Sequence, residues 1–169
     1  MIGARWGATD AEVAAPQPCD VLAGEGATRA DRAISIAAPV GVVYRWLCQL
    51  RTAPYSYDLL DNFGRRSPRT LTPGLERLAP GQRVMTLFTL TSFVPDEHLT
   101  ISSGRHTVVT YAVRPERTEA RLAVRVAFAL PRCVTRPLLL GDLVMMRKQL
   151  LTLKALAERD ARSFARREV

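Results

Sequence analysis

The sequence predicts an α+β domain: a curved antiparallel sheet of five to seven strands wrapped around a long C-terminal helix, with two short helices after the first strand. Three observations carry this reading. Between residues 83 and 130, apolar segments alternate with short turn-forming stretches, the pattern of an antiparallel meander. Near the C-terminus Leu139, Leu143, Met146, Leu150, Leu153 and Ala157 recur at steps of four and three, a continuous stripe on a helix over about 136–162. The remaining helical signals precede the meander instead of alternating with its strands, so helices gather on one face of the sheet.

Taken in order, residues 1–30 are rich in Ala, Gly and Pro and poor in large apolar side chains. They are expected to be an N-terminal extension, largely loop, adding little to the core of a domain over 31–162. Ile34 and Ile36, flanked by Ala33 and Ser35, alternate as in a half-buried strand. Pro39 suits the first turn of a helix, and Val40, Val43, Leu47 and Leu50 carry that helix over about 39–50. A second short helix is expected over Tyr55 to Asn62, stopped by Asn62 or Gly64. Residues 64–82 hold three Pro and three Gly and read as a long connection.

The expected strands are Arg83–Val94, Leu99–Ser103, Thr107–Arg114 and Glu119–Leu130, joined by turns at Pro95–Glu97, Gly104–Arg105 and Pro115–Arg117. In the last of them Leu122, Val124, Val126 and Phe128 point one way, into the core. Arg121, Ala123 and Arg125 point the other way, to water. Arg159, Arg162, Arg166 and Arg167 complement the negative end of the long helix, with 163–169 as a basic tail.

Composition bounds the function. The chain has 169 residues, 47% apolar and 24% charged, which fits one globular domain. Its net charge is +8, with 22 Arg and only two Lys (Lys148 and Lys154). Residues 1–30 carry a net −2, leaving +10 on the rest. No basic cluster is interleaved with aromatics and no recognition-helix signature occurs, so no nucleic-acid partner is expected. Cys19, Cys48 and Cys133 are far apart and the only histidines are His98 and His106, so neither a zinc site nor any other metal centre is expected. The odd cysteine count and the lack of a secretory leader point to the cytoplasm. The apolar run from Pro137 to Met146 is interrupted by Asp142 and is too short for a bilayer, so no integral membrane association is expected. GxSxG, GxxxxGK[ST] and a strand-borne GxGxxG are all missing, so hydrolase and nucleotide-phosphate chemistry have no support and no cofactor is expected.

Three segments resemble a known superfamily. The stretch Arg32-Ala-Ile-Ser-Ile-Ala-Ala-Pro-Val-Gly-Val-Val-Tyr-Arg-Trp-Leu-Cys-Gln-Leu50 is similar to the opening strand and helix of SRPBCC, or START-like, proteins. Tyr55-Ser-Tyr-Asp-Leu-Leu-Asp-Asn62 followed by Gly64-Arg-Arg-Ser67 resembles a motif of small bacterial members. Gly141-Asp-Leu-Val-Met-Met-Arg-Lys-Gln-Leu-Leu-Thr-Leu-Lys154 resembles their last helix. Over residues 30–160 the resemblance implies the helix-grip fold. It also implies a cavity between sheet and helix, used elsewhere in the superfamily by lipid carriers, hormone-binding proteins, and polyketide cyclases and aromatases.

The expected function is therefore binding of a hydrophobic small molecule of lipid, polyketide or isoprenoid type, the alternative being a polyketide cyclase- or aromatase-like enzyme in the same cavity. Val124, Phe128, Leu143, Met146 and Leu150 are expected to line it. Tyr55, Tyr57, Asp58 and Asp61 would stand near its mouth, where the acids could equally pair with Arg66 and its neighbours to hold the loop. His106, opening a strand, is the one imidazole that could reach the ligand, although a lone His is more often structural. No residue is assigned a catalytic role, and the oligomeric state is left open.

Overall fold

The computed structural model describes residues 3–61, 63–117 and 119–166, with no account of the side chains of residues 60 and 61. An open seven-stranded sheet runs in the spatial order β1-β2-β7-β6-β5-β4-β3. The strands are β1 (Arg5–Trp6), β2 (Thr28–Ile36), β3 (Arg83–Val84), β4 (Phe88–Val94), β5 (His98–Ser103), β6 (Thr107–Glu116) and β7 (Glu119–Phe128). The helices are α1 (Asp10–Ala14), α2 (Pro18–Ala23), α3 (Val40–Cys48), α4 (Asp58–Asp61) and α5 (Arg132–Ala165), and a 3-10 turn, Gln49–Arg51, extends α3. The α+β class, the long C-terminal helix and the short helices after β2 are as the sequence predicts. All ladders from β2 onward are antiparallel, whereas β1 lies parallel to β2, which makes the sheet mixed.

That parallel edge changes the reading of residues 1–30. A parallel pair needs a crossover of a dozen or more residues, and α1 and α2 supply it. Thr9 caps α1 with a reciprocal bond to Glu12, and Pro18 opens α2. The crossover lies on the convex face of the sheet. There the directly paired row Asp31–Arg125–Thr110–Thr100 is buried, not wet. Arg125 donates to Asp31 and Asp20, both at 2.7 Å, and to the carbonyls of Glu12, Val13 and Ala15. Beside it Arg121 pairs with Glu12 at 2.7 Å, and the amide of Cys19 donates to Thr110. The expected loop is thus a lid on a polar row, and the strand residues assigned to solvent are satisfied by it.

Register places the core on the concave face. Leu90, Ile101, Val109 and Val126 are successive cross-strand neighbours, as are Leu99, Tyr111 and Val124. Helix α5 packs across them and is about 50 Å long at 1.5 Å per residue. It begins four residues before the expected start and carries Pro137 inside its second turn, where Cys133 loses one helical donor. Thr135 secures that first turn by donating to the carbonyls of Leu130 and Pro131, both at 3.1 Å. At its other half α5 packs on α3, with Trp46 Nε1 donating to Asp160 at 3.1 Å.

Candidate functional site

The seam that α5 presents to the sheet runs Thr135, Leu139, Asp142, Met146, Gln149, Leu153 and Leu156, at alternating steps of four and three. Below its C-terminal half, α3 fills the space. Below its N-terminal half no helix intervenes among the described residues, and a cavity of about 550 Å³ opens there. One wall is Pro137, Leu138, Gly141, Asp142, Met145, Met146 and Gln149 of α5. The opposite wall is Val109 and Tyr111 of β6 with Val126 and Phe128 of β7. Met85 to Phe88, the turn entering β4, close one side, and Pro54 and Ser56 another. The volume is that of small-molecule sites, and the lining is mostly apolar.

Two polar constellations interrupt it. Asp142 accepts from Arg32 Nη2 at 2.9 Å, and Arg32, fully buried on β2, also donates to the carbonyls of Asp31 and Gly3. Burial pushes the Asp142 carboxyl up to about 6, because desolvation outweighs the stabilising Arg32 charge. Burial likewise lowers Arg32 from its ordinary value. The second constellation is Tyr111, whose hydroxyl donates to Gln149 Oε1 at 2.8 Å, while Gln149 Nε2 donates to the Pro54 carbonyl at 2.6 Å. Burial holds the Tyr111 phenol above its ordinary value, so it stays protonated.

The sequence-predicted site residues divide. Phe128 and Met146 line the cavity. Val124 and Leu150 are buried in the adjoining core without lining it. Leu143 lies one step off the seam, in a shallow outer groove with Trp6, Arg147 and the exposed Tyr57. Tyr55 is buried with its ring edge-on to Trp46, centroids 5.9 Å apart, and only its neighbours Pro54 and Ser56 reach the cavity. Asp58 accepts from the amide of Ser67 at 2.9 Å and from its hydroxyl, which closes the following loop. Asp61's side chain and Asn62 lie outside the described residues. His106 is exposed in the turn before β6, and Arg66 lines a separate basic groove with Arg51, Arg65 and Arg83. Tyr55, Tyr57 and Asp58 therefore do not form the expected mouth.

Tyr111, Asp142 and Gln149 were missed. Their signal was present: Asp142 breaks an apolar helical run, and Gln149 lies three residues after Met146 and four before Leu153, on the helix face those two define. Among the described residues no group of three or more His, Cys, Asp or Glu is placed to hold a metal, and no helix is long and apolar enough to cross a membrane.

No family model matches the sequence, and no curated protein matches it. The fold does match solved structures. Protein MLL2253 from Mesorhizobium loti is 16% identical, with 78% of this chain and 97% of that chain covered and a TM-score of 0.53. A protein from Arthrobacter aurescens is 12% identical, covering 78% and 86%, with a TM-score of 0.50. The Polyketide_cyc-like protein Cgl2372 from Corynebacterium glutamicum is 14% identical, covering 81% and 95%, at 0.49. At such identities the likeness is one of fold alone: the chain shares with the first two of these proteins an architecture in which a sheet grips a long C-terminal helix.

Proposed function

We propose that the protein binds a hydrophobic small molecule of lipid, polyketide or isoprenoid type in the cavity between α5 and the sheet. The observation that carries this reading is the mostly apolar space of about 550 Å³ under the N-terminal half of α5, between that helix and β6 and β7. An apolar ligand there gains about 25 cal/mol per Å² it removes from water, so binding needs no charged partner. The test is a titration with Nile red, whose fluorescence reports an apolar environment. Wild type is expected to bind it, and Met146→Trp and Val126→Phe, filling opposite walls, to lose binding at least tenfold (~1.4 kcal/mol) with an unchanged far-UV spectrum. Equal binding by wild type and both filled variants would refute the placement.

One observation favours the enzymatic alternative, a cyclase- or aromatase-like activity. A carboxyl raised to about 6 beside a phenol in an apolar cavity suits proton transfer near neutrality. Under that reading Asp142→Asn binds a poly-β-ketone mimic but does not convert it, whereas wild type does.

A further inference from the structure

The polar groups of the cavity narrow what the ligand can be, on the footing that the cavity is a binding site. Among the described residues its lining holds no Arg, Lys or His, and Asp142 is the one carboxyl there. Among the described residues Arg32 is the sole donor to Asp142, and it engages only Oδ2. Arg32 itself is fully buried behind the wall, its guanidinium held by two backbone carbonyls at 3.0 and 2.6 Å, and cannot turn to meet a ligand. The Tyr111 proton is committed to Gln149, and the Gln149 amide donates to the Pro54 carbonyl and to the Met85 sulfur. The buried polar groups of the wall are thus left with spare acceptors and no spare cation.

We propose that the ligand is an apolar molecule bearing a neutral hydrogen-bond donor, a hydroxyl, which donates to the free oxygen of Asp142, and that the matching carboxylates are excluded. A hydroxyl exchanges its bond to water for a charge-assisted one. A carboxylate would shed its hydration beside a like charge, with no cation in the lining to compensate it. The hydroxyls of Thr86, Ser103 and Thr107 can donate to an anion but cannot neutralise it.

A strongly basic recess next to the cavity is the groove of Arg51, Arg65, Arg66 and Arg83, which adjoins it at Met85 and Thr86. An anionic head group would have to reach that groove.

The experiment is displacement of Nile red from the full chain by three ligands of equal chain length: decanol, decanoate and decyl methyl ether. The pH is held well above the Asp142 transition. Decanol is expected to bind about tenfold more tightly than decanoate and than the ether, which accepts but cannot donate. Asp142→Asn narrows the gap to decanoate. Because an unpaired Arg32 could unfold that variant, Arg32→Met with Asp142→Leu replaces the whole pair by apolar groups. In it decanol loses its advantage over the ether. Decanoate or the ether binding wild type as tightly as decanol overturns the inference. If tight decanoate binding falls in Arg66→Ala and Arg83→Ala, the head group lies in the arginine groove. Failure of Nile red to bind refutes the cavity reading itself, and this inference with it.

Discussion

Among 22 arginines, Arg125 shows how little a single residue's chemistry says about its place. Alternation correctly puts it opposite Val124 and Val126, yet its side chain is only 2% exposed and satisfies five acceptors. Nothing in one strand's pattern distinguishes a face covered by water from a face covered by another segment. Arg125→Ala would leave the buried Asp31 and three backbone carbonyls without this donor, while Asp20 keeps Arg29, so a loss of about 3–5 kcal/mol is expected in denaturant unfolding. A loss under about 1 kcal/mol would mean that water replaces the guanidinium. Gly7 is the comparable backbone case. Its φ is +71°, and a Cβ there would sit 2.1 Å from the Ala33 carbonyl oxygen. Gly7→Ala should therefore cost about 1–3 kcal/mol, measured the same way, by strain and by pushing β1 off β2.

At the scale of elements, what was legible depended on local repetition. The meander from β4 to β7 and the long helix follow from periodicities of two and about three and a half, which are properties of neighbouring residues. Boundaries were less so. The expected start lies near Arg136, but α5 begins at Arg132 because Thr135 supports the turn before it. The face of α5 was legible too: five of the six stripe residues are buried, and only Leu143 turns outward, its neighbour Asp142 taking the place on the cavity wall. The segment of α1 and α2 was hidden for a different reason. Its short helices bury little apolar surface of their own and are held by the sheet's arginines. Deleting residues 1–26 removes four of the five acceptors of Arg125 and the cap on Thr110. The truncated chain is expected to lose cooperative thermal unfolding, since the deficit of about 5 kcal/mol approaches the stability of a whole domain. A midpoint lowered by only a few degrees would show the segment to be an accessory.

Across the whole molecule, the charge asymmetry of the sequence becomes a structural contact. The net −2 of residues 1–30 is where Glu12 and Asp20 sit, and they meet Arg121 and Arg125 on the convex face of a body carrying +10. On the concave side the acid is Asp142, inside the cavity. The two faces therefore respond to pH with opposite signs. Hydrogen bonding from Arg121 lowers Glu12 from 4.5 to about 2, so its stabilisation is full above 4.5 and disappears as pH falls toward 2. Desolvation raises Asp142 from 3.8 to about 6, so its neutral form stabilises the fold below 3.8, and that contribution is lost as pH rises through 6. Stability measured by denaturant across this range should fall on both sides. Glu12→Gln should flatten the acid limb alone, and Asp142→Asn the limb between 3.8 and 6 alone. If Asp142→Asn left that upper limb intact, the carboxyl would be ionised throughout, as the Arg32 pair alone would make it. The cavity would then present a fixed negative charge to its ligand at every pH in that interval.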